Sequence, residues 1–260
     1  MQATVSTVPN RGTLHTVLHE DGRRVAATVP TAPNGSVFVG PLAGLADRLS
    51  NLATGVNVGN GQYLPAARAE ALRQGVINLG VDGAFRAVAG VGQKERRDIA
   101  SAKATAMEVP PATPATAAMA ARTLVLWDRA DIGGKANMLN TLPVDGLGAL
   151  IASGAYREDG IPAELQQVAA DRYMALNHVR RVGLQADHTL VADHNDPLAT
   201  GPNVEAATNA ARAAVKTLNA RSETVESVSD ALRSIISMVG LATDLSDQKA
   251  YQLLSTGSIA

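Results

Sequence analysis

The chain has 260 residues, 46% of them hydrophobic, with a formal net charge of −1 and no cysteine. That length can bury a real core in one or two domains. The charge gives no electrostatic case for DNA, RNA or an anionic membrane, and zero Cys excludes disulfides, thiolate metal sites and cysteine nucleophiles. Aromatic residues make up only 3%, with one Trp and two Phe. The core must therefore be built from Ala, Val, Leu and Ile, small side chains that suit close helix packing better than a thick β-sandwich.

From the N-terminus, residues 1–13 show no basic start followed by an apolar run, so no signal peptide is expected. Residues 13–39 are the one β-like region. Thr13–His19 alternates, Glu20-Asp21-Gly22-Arg23 reads as a turn, and Arg24–Val29 is a second β-favouring run. A third short run, Ser36–Val39, follows Pro30, Pro33 and Gly35. A hairpin of this size is marginal alone and must pack on helices or on another subunit. Pro41 opens a short helix through Leu42, Leu45, Leu49 and Leu52, with Gly55 as its stop. Gly55–Gln62 is glycine-rich and reads as a connector. It lacks the Lys-Ser/Thr of a P-loop and the preceding strand of a dinucleotide site, so a nucleotide-binding module on Gly55–Gly61 is only a distant rival.

Pro65 begins a helix to about Gln74. Gly75, Gly80, Gly83, Gly90 and Gly92 then predict a short helix over 83–89, separate from another over 93–108. Lys94-Glu95-Arg96-Arg97-Asp98 is a mixed-charge, solvated face, without the one-sided charge and stacking aromatics of a nucleic-acid site. Pro110, Pro111 and Pro114 break the chain, and Thr113 caps an alanine-rich helix that reaches Trp127 or Ala130. Gly133-Gly134 ends it. Short helices are expected over 135–142 and 146–156. A longer one follows over about 161–183, with an apolar stripe Ile161, Leu165, Val168, Ala175, Val179, Val182, interrupted by Arg172.

The longest element is expected over 203–239. One position of a seven-residue register reads Val204, Ala211, Leu218, Val225, Leu232, Val239. The position three further on reads Ala207, Ala214, Arg221, Val228, Ile235 and, past Gly240, Ala242. Alternating spacings of three and four place both on one stripe of a rod of roughly 55 Å. A final helix over 242–255 completes the chain. The fold class is thus mainly α: a multi-helix bundle built on a long antiparallel hairpin (161–183 and 203–239), with a small N-terminal β appendage. Domain boundaries are expected at 1–40, 41–110 and 111–260.

One constellation suggests metal chemistry. Between the long helices stand Asp187-His188 and Asp193-His194, with Asp196 close behind, imidazole and carboxylate being ligands for zinc, manganese or iron. A metal-dependent hydrolase is the rival this supports. The spacing matches no established ligand pattern, however, and Asp, Asn and Pro are ordinary turn formers. His15 and His19 are about 13 Å apart if on one strand, too far for one metal, and read as surface residues. His178 borders the seam. Arg172 and Arg221 each place a charge within a seam and need a carboxylate or carbonyl partner if buried. No nucleophile elbow or paired base is present, and no cofactor is implied.

The expectation is a non-enzymatic, self-associating subunit of a large particle, such as a connector, core or internal protein of a tailed phage. A flagellar or type III-exported subunit shares the composition. Its partners are copies of itself and other subunits, with no transmembrane segment. The face expected to meet them is Val225, Val228, Leu232, Ile235 and Val239, because an apolar stripe this long outruns one partner helix.

Overall fold

The structure is a computed structural model describing residues 1–59 and 63–258. The chain is mainly helical, with ten α-helices among the described residues and one three-stranded antiparallel sheet at the N-terminus. It divides into two compact units: residues 1–98 with 222–260, and residues 99–221.

In the first unit β1 (Gln2–Val8), β2 (Gly12–Leu18) and β3 (Arg24–Pro30) are ordered β1-β2-β3. The β2–β3 turn lies where the sequence put it: His19 N donates to Arg23 O at 2.8 Å, and Gly22 takes φ 87°. The third strand does not. It is β1, while 36–39 turns into a helix. Of β1 only Ala3 is buried, so this edge strand carries almost no apolar signal. Register places Ala3 opposite Val17, and His15 opposite Val5 and Ala27, on one face. That face meets α1 (Val39–Val58), whose Leu42, Leu45, Leu49, Leu52 and Val56 are buried at spacings of three and four. The Asn57 side chain accepts from Ala3 N and donates to Ala3 O, both at 2.8 Å, so an amide of α1 pairs the edge of β1.

Gly55 does not end α1; the helix continues to Val58 with Gly59 at its C-cap. Residues 55–58 are therefore helix rather than a glycine loop, and Asn60, Gly61 and Gln62 lie outside the described residues. Then come α2 (Pro65–Asn78) and α3 (Val81–Ala106). The second is one helix of 26 residues through Gly83, Gly90 and Gly92, where the glycines predicted two short ones. Among its buried positions, Val81, Phe85, Val88, Glu95 and Ile99 keep a regular stripe, with Asp82 buried beside it. Tertiary packing along that stripe outweighs the propensity loss of about 1 kcal/mol per glycine.

The second unit holds the C-terminal end of α3, then α4 (Pro114–Arg129), α5 (Ile132–Thr141), α6 (Val144–Ser153), α7 (Ala163–Val182), α8 (Leu184–Asp187) and the first part of α9 (Val204–Thr243). Thr113 caps α4 as expected, in a capping box with Thr116. Gly133-Gly134 lies inside the first turn of α5 rather than after α4, because the Asp131 carboxylate accepts from Gly134 N at 2.7 Å. The core is Trp127, Leu139, Leu147, Leu150, Tyr156 and Tyr173 with smaller neighbours. A second cluster joins Met174, Ala175 and Val179 of α7 to Ala207, Ala211 and Val215 of α9. Asn219 Nδ2 donates to Asp171 at 3.1 Å, so positions rise on α7 as they fall on α9. The antiparallel hairpin is present.

Arg172 meets the need its position created. Its Nη1 donates to Leu139 O (2.9 Å) and Leu142 O (2.6 Å), carbonyls at the C-terminal end of α5 that no helical amide satisfies. Tyr173 Oη donates to Glu108 O at 2.9 Å, and Asn177 Nδ2 to Ala106 O and Glu108 O at 2.8 and 3.1 Å. These two α7 side chains hold the connection between α3 and α4. Arg221 is exposed, as is Ala214, because the buried line in this part of α9 runs by fours through 207, 211 and 215.

In the first unit the rest of α9 and α10 (Asp247–Thr256) close the packing. Gly240 is not the stop. A Cβ there would meet Leu245 O at 3.0 Å, so glycine admits the turn that follows; the helix ends at Thr243, before Asp244 at φ 53°.

Candidate functional site

The Asp-His segment is a largely exposed arm of the second unit. Its neck is closed by a bridge between Thr189 and Pro202, by Leu190 N donating to Gly201 O and by Asn203 N donating to His188 O, both at 2.8 Å. The Asp193 carboxylate accepts from Asn195 N (2.8 Å) and Asp196 N (2.9 Å), and these amides hold its pKa below the usual value. Asp196 Oδ1 accepts from Leu198 N at 3.2 Å. Asp193 and Asp196 are thus the turn-forming residues of a compact loop. Asp187, Asp193, His194 and Asp196 are exposed and His188 is half-buried. Among the described residues no three His, Asp or Glu side chains are arranged to hold a metal ion. Beside these polar groups the arm presents apolar side chains: Leu190, Val191 and Leu198 are exposed, the last two by 82% and 85%.

The N-terminal histidines are not the surface pair the sequence suggested. His15 is buried between sheet and helix at 1% exposure, and neither ring nitrogen has a hydrogen-bond partner. Loss of solvation pushes its pKa below 6.5. His19 is held by two carboxylates, Nδ1 3.0 Å from Asp21 and Nε2 3.2 Å from Asp244. Both nitrogens are engaged, so this side chain fastens the β2–β3 turn to the end of α9 and has no ring position left for a substrate. Glu20 beside it accepts from Arg68 at 2.7 Å and from the Met1 amino group, which brings its pKa to about 2. His178 is half-buried at the seam's border.

The buried neutral His15 sets a pH dependence. Unfolding frees the ring to take a proton below pH 6.5, so stability falls as pH drops from 6.5 toward the folded-state value. Glu20, with its depressed pKa, adds a further loss as pH falls from 4.5 toward 2. His15→Leu is expected to flatten the melting profile between pH 6.5 and 4.5, above the Glu20 limb, which it leaves in place. An unchanged slope across that window would contradict the buried neutral ring.

The face expected to meet another chain is largely covered by its own. Val225, Val228, Ile235 and Val239 are buried inside the first unit at 4, 2, 0 and 0% exposure. Only Leu232 remains half-buried. It lines an open groove of about 440 Å³ between α3, α9 and α10, within the size range of ligand pockets. Phe85, Val228, Leu232, Ile236 and Tyr251 supply its apolar wall, with Phe85 and Tyr251 edge to face at 6.4 Å. Gly90 and Ala89 leave the α3 side unfilled, and a Cβ at Gly90 would meet nothing within 4 Å. Arg86, Arg96 and Arg233 stand around it, and no Asp or Glu is among the described residues that line it. Sequence reasoning missed this groove because its walls come from residues 85–96 and 225–255, each amphipathic alone.

Among the described residues no helix is long and apolar enough to cross a membrane. Compared with protein-family models, with curated proteins and with solved structures, the chain matches none.

Proposed function

We propose that this protein is a non-enzymatic structural subunit that associates with copies of itself in a larger assembly. The observation that carries the reading is the arm at 189–202, where Leu198 and Val191 stand 85% and 82% exposed on a loop ordered by its own backbone hydrogen bonds. An ordered loop that holds large apolar side chains in water, beside a separate open apolar groove, suits a binding surface. The alanine-rich long helices, few aromatics and absence of Cys are what support, in this proposal, a virus-particle component such as a connector, core or internal protein of a tailed phage. A flagellar or exported subunit is the nearest alternative. Light scattering on the purified protein across the micromolar range is the test. The expected mass is a multiple of 26.8 kDa that rises with concentration, and a constant 26.8 kDa would contradict self-association.

A further inference from the structure

We propose that Asn34 is a site of spontaneous deamidation, in which Gly35 N attacks the Asn34 side-chain amide and water opens the resulting ring to Asp and isoAsp. The site is the connection between β3 and α1. Ser36 N donates to Pro33 O at 3.0 Å and Gly35 takes φ 79°, the pattern of a type II turn with Asn34 and Gly35 at its centre. Both residues are exposed. A glycine after asparagine removes the Cβ that hinders attack by the following amide. Nothing lies within 4 Å of the space a Cβ at Gly35 would take, so the approach is open.

Hydrogen bonding singles this asparagine out. Among the described residues neither the Asn34 side chain nor Gly35 N has a hydrogen-bond partner. The other described asparagines outside helices are Asn10, Asn195 and Asn203, and each is constrained. Arg11 N, which follows Asn10, donates to Val8 O at 3.0 Å. Asp196 N, which follows Asn195, donates to Asp193 Oδ1 at 2.9 Å. The Asn203 side chain caps α9 by accepting from Ala206 N at 2.9 Å. Asp21-Gly22 has the same glycine, but its carboxylate is ionised and tied to Arg23, so it offers no leaving group.

The step needs only water and hydroxide. Gly35 N loses its proton to hydroxide and bonds to Asn34 Cγ. The Cγ–Nδ2 bond breaks, and the nitrogen takes up a proton and leaves as ammonia, giving a cyclic imide. Water adds to either imide carbonyl: one opening gives Asp at position 34, the other isoAsp, with the main chain routed through the side chain. Either product makes the chain one unit more negative than its formal −1. IsoAsp also lengthens the main chain within the turn that leads to buried Phe38 and the start of α1.

The test incubates the full-length chain at neutral and mildly alkaline pH, folded and in urea, and then digests it with trypsin. Residues 25–48 are released as one fragment, in which Asn34 is the single side-chain amide. The same dipeptide at Asn60-Gly61 lies outside the described residues and falls in the separate fragment 49–68. Mass spectrometry of fragment 25–48 is expected to show both Asp and isoAsp, formed faster at the higher pH. The rate in the folded chain is expected to lie within about tenfold of that in urea, because the fold engages neither reacting group. Asn34→Gln, an exposed substitution whose longer side chain closes the ring poorly, is expected to abolish the conversion. A folded rate more than about tenfold below the unfolded one would overturn the open turn. Asp without isoAsp, or a rate indifferent to pH, would overturn the imide route. Conversion that persists in Asn34→Gln would overturn the site.

Discussion

Tyr173→Ala is expected to destabilise the unit formed by residues 99–221 by about 3–5 kcal/mol, the usual cost of deleting a fully buried aromatic ring. The ring is 0% exposed against Trp127, Leu147 and Leu150, and its hydroxyl donates to Glu108 O. Tyr173→Phe isolates the second contribution and should cost only about 1 kcal/mol, because it removes one hydrogen bond and no packing. The measurement is direct. Trp127 is the only tryptophan of the chain and is buried in the same cluster, so its fluorescence reports urea unfolding of this unit. Equal midpoints for Tyr173→Ala and the wild-type chain would contradict the packing described.

The second large effect is at Ile235. Ile235→Ala should cost about 2–5 kcal/mol, because the residue is fully buried in the core of its unit. Leu232→Ala, one turn away on the half-buried groove wall, should cost about 1 kcal/mol, in proportion to the smaller area it removes from water. Sequence periodicity makes these two residues equivalent; burial separates them. Lysine at Val228 or Ile235 is expected to unfold the unit rather than dissolve an assembly, since either ammonium would be buried without a partner. Thermal unfolding followed by far-ultraviolet circular dichroism distinguishes the four variants. A Leu232→Ala cost equal to that of Ile235→Ala would contradict the assignment of one to the groove and the other to the core.

The features legible in the sequence are local and periodic. Thr113 before Pro114, the four-and-three spacing of α7, and the long gap without Gly or Pro in α9 each announce a helix through nearest-neighbour physics. The exception within α9, Gly240, reads as a stop in isolation but is a point of close approach to Leu245 O. The same misreading of glycine divides α3, whose continuity comes from a buried stripe through Val81, Phe85, Val88 and Ile99 that only the fold completes. Strand β1 escapes for the opposite reason: one of its seven residues is buried, so no alternation marks it.

The candidate site shows the same division. Asp187, His188, Asp193, His194 and Asp196 attract notice by residue type, yet the Asp193 and Asp196 carboxylates are spent on backbone amides of the arm. The exposed Val191 and Leu198 between and beside them draw none, because an isolated apolar residue in a loop carries no periodic signal. His15 reads as surface by its place near charged neighbours, and only the packing of the sheet on α1 shows an imidazole without partners.

The absence of cysteine makes the central claim open to a clean chemical measurement. Leu198→Cys and Leu232→Cys introduce one thiol each, on the arm and on the groove wall. The two proteins are mixed at micromolar concentration and treated with a short bis-maleimide. Self-association predicts cross-linking, within either variant or in the mixture, to a species of twice 26.8 kDa. Product confined to 26.8 kDa in every sample would contradict it.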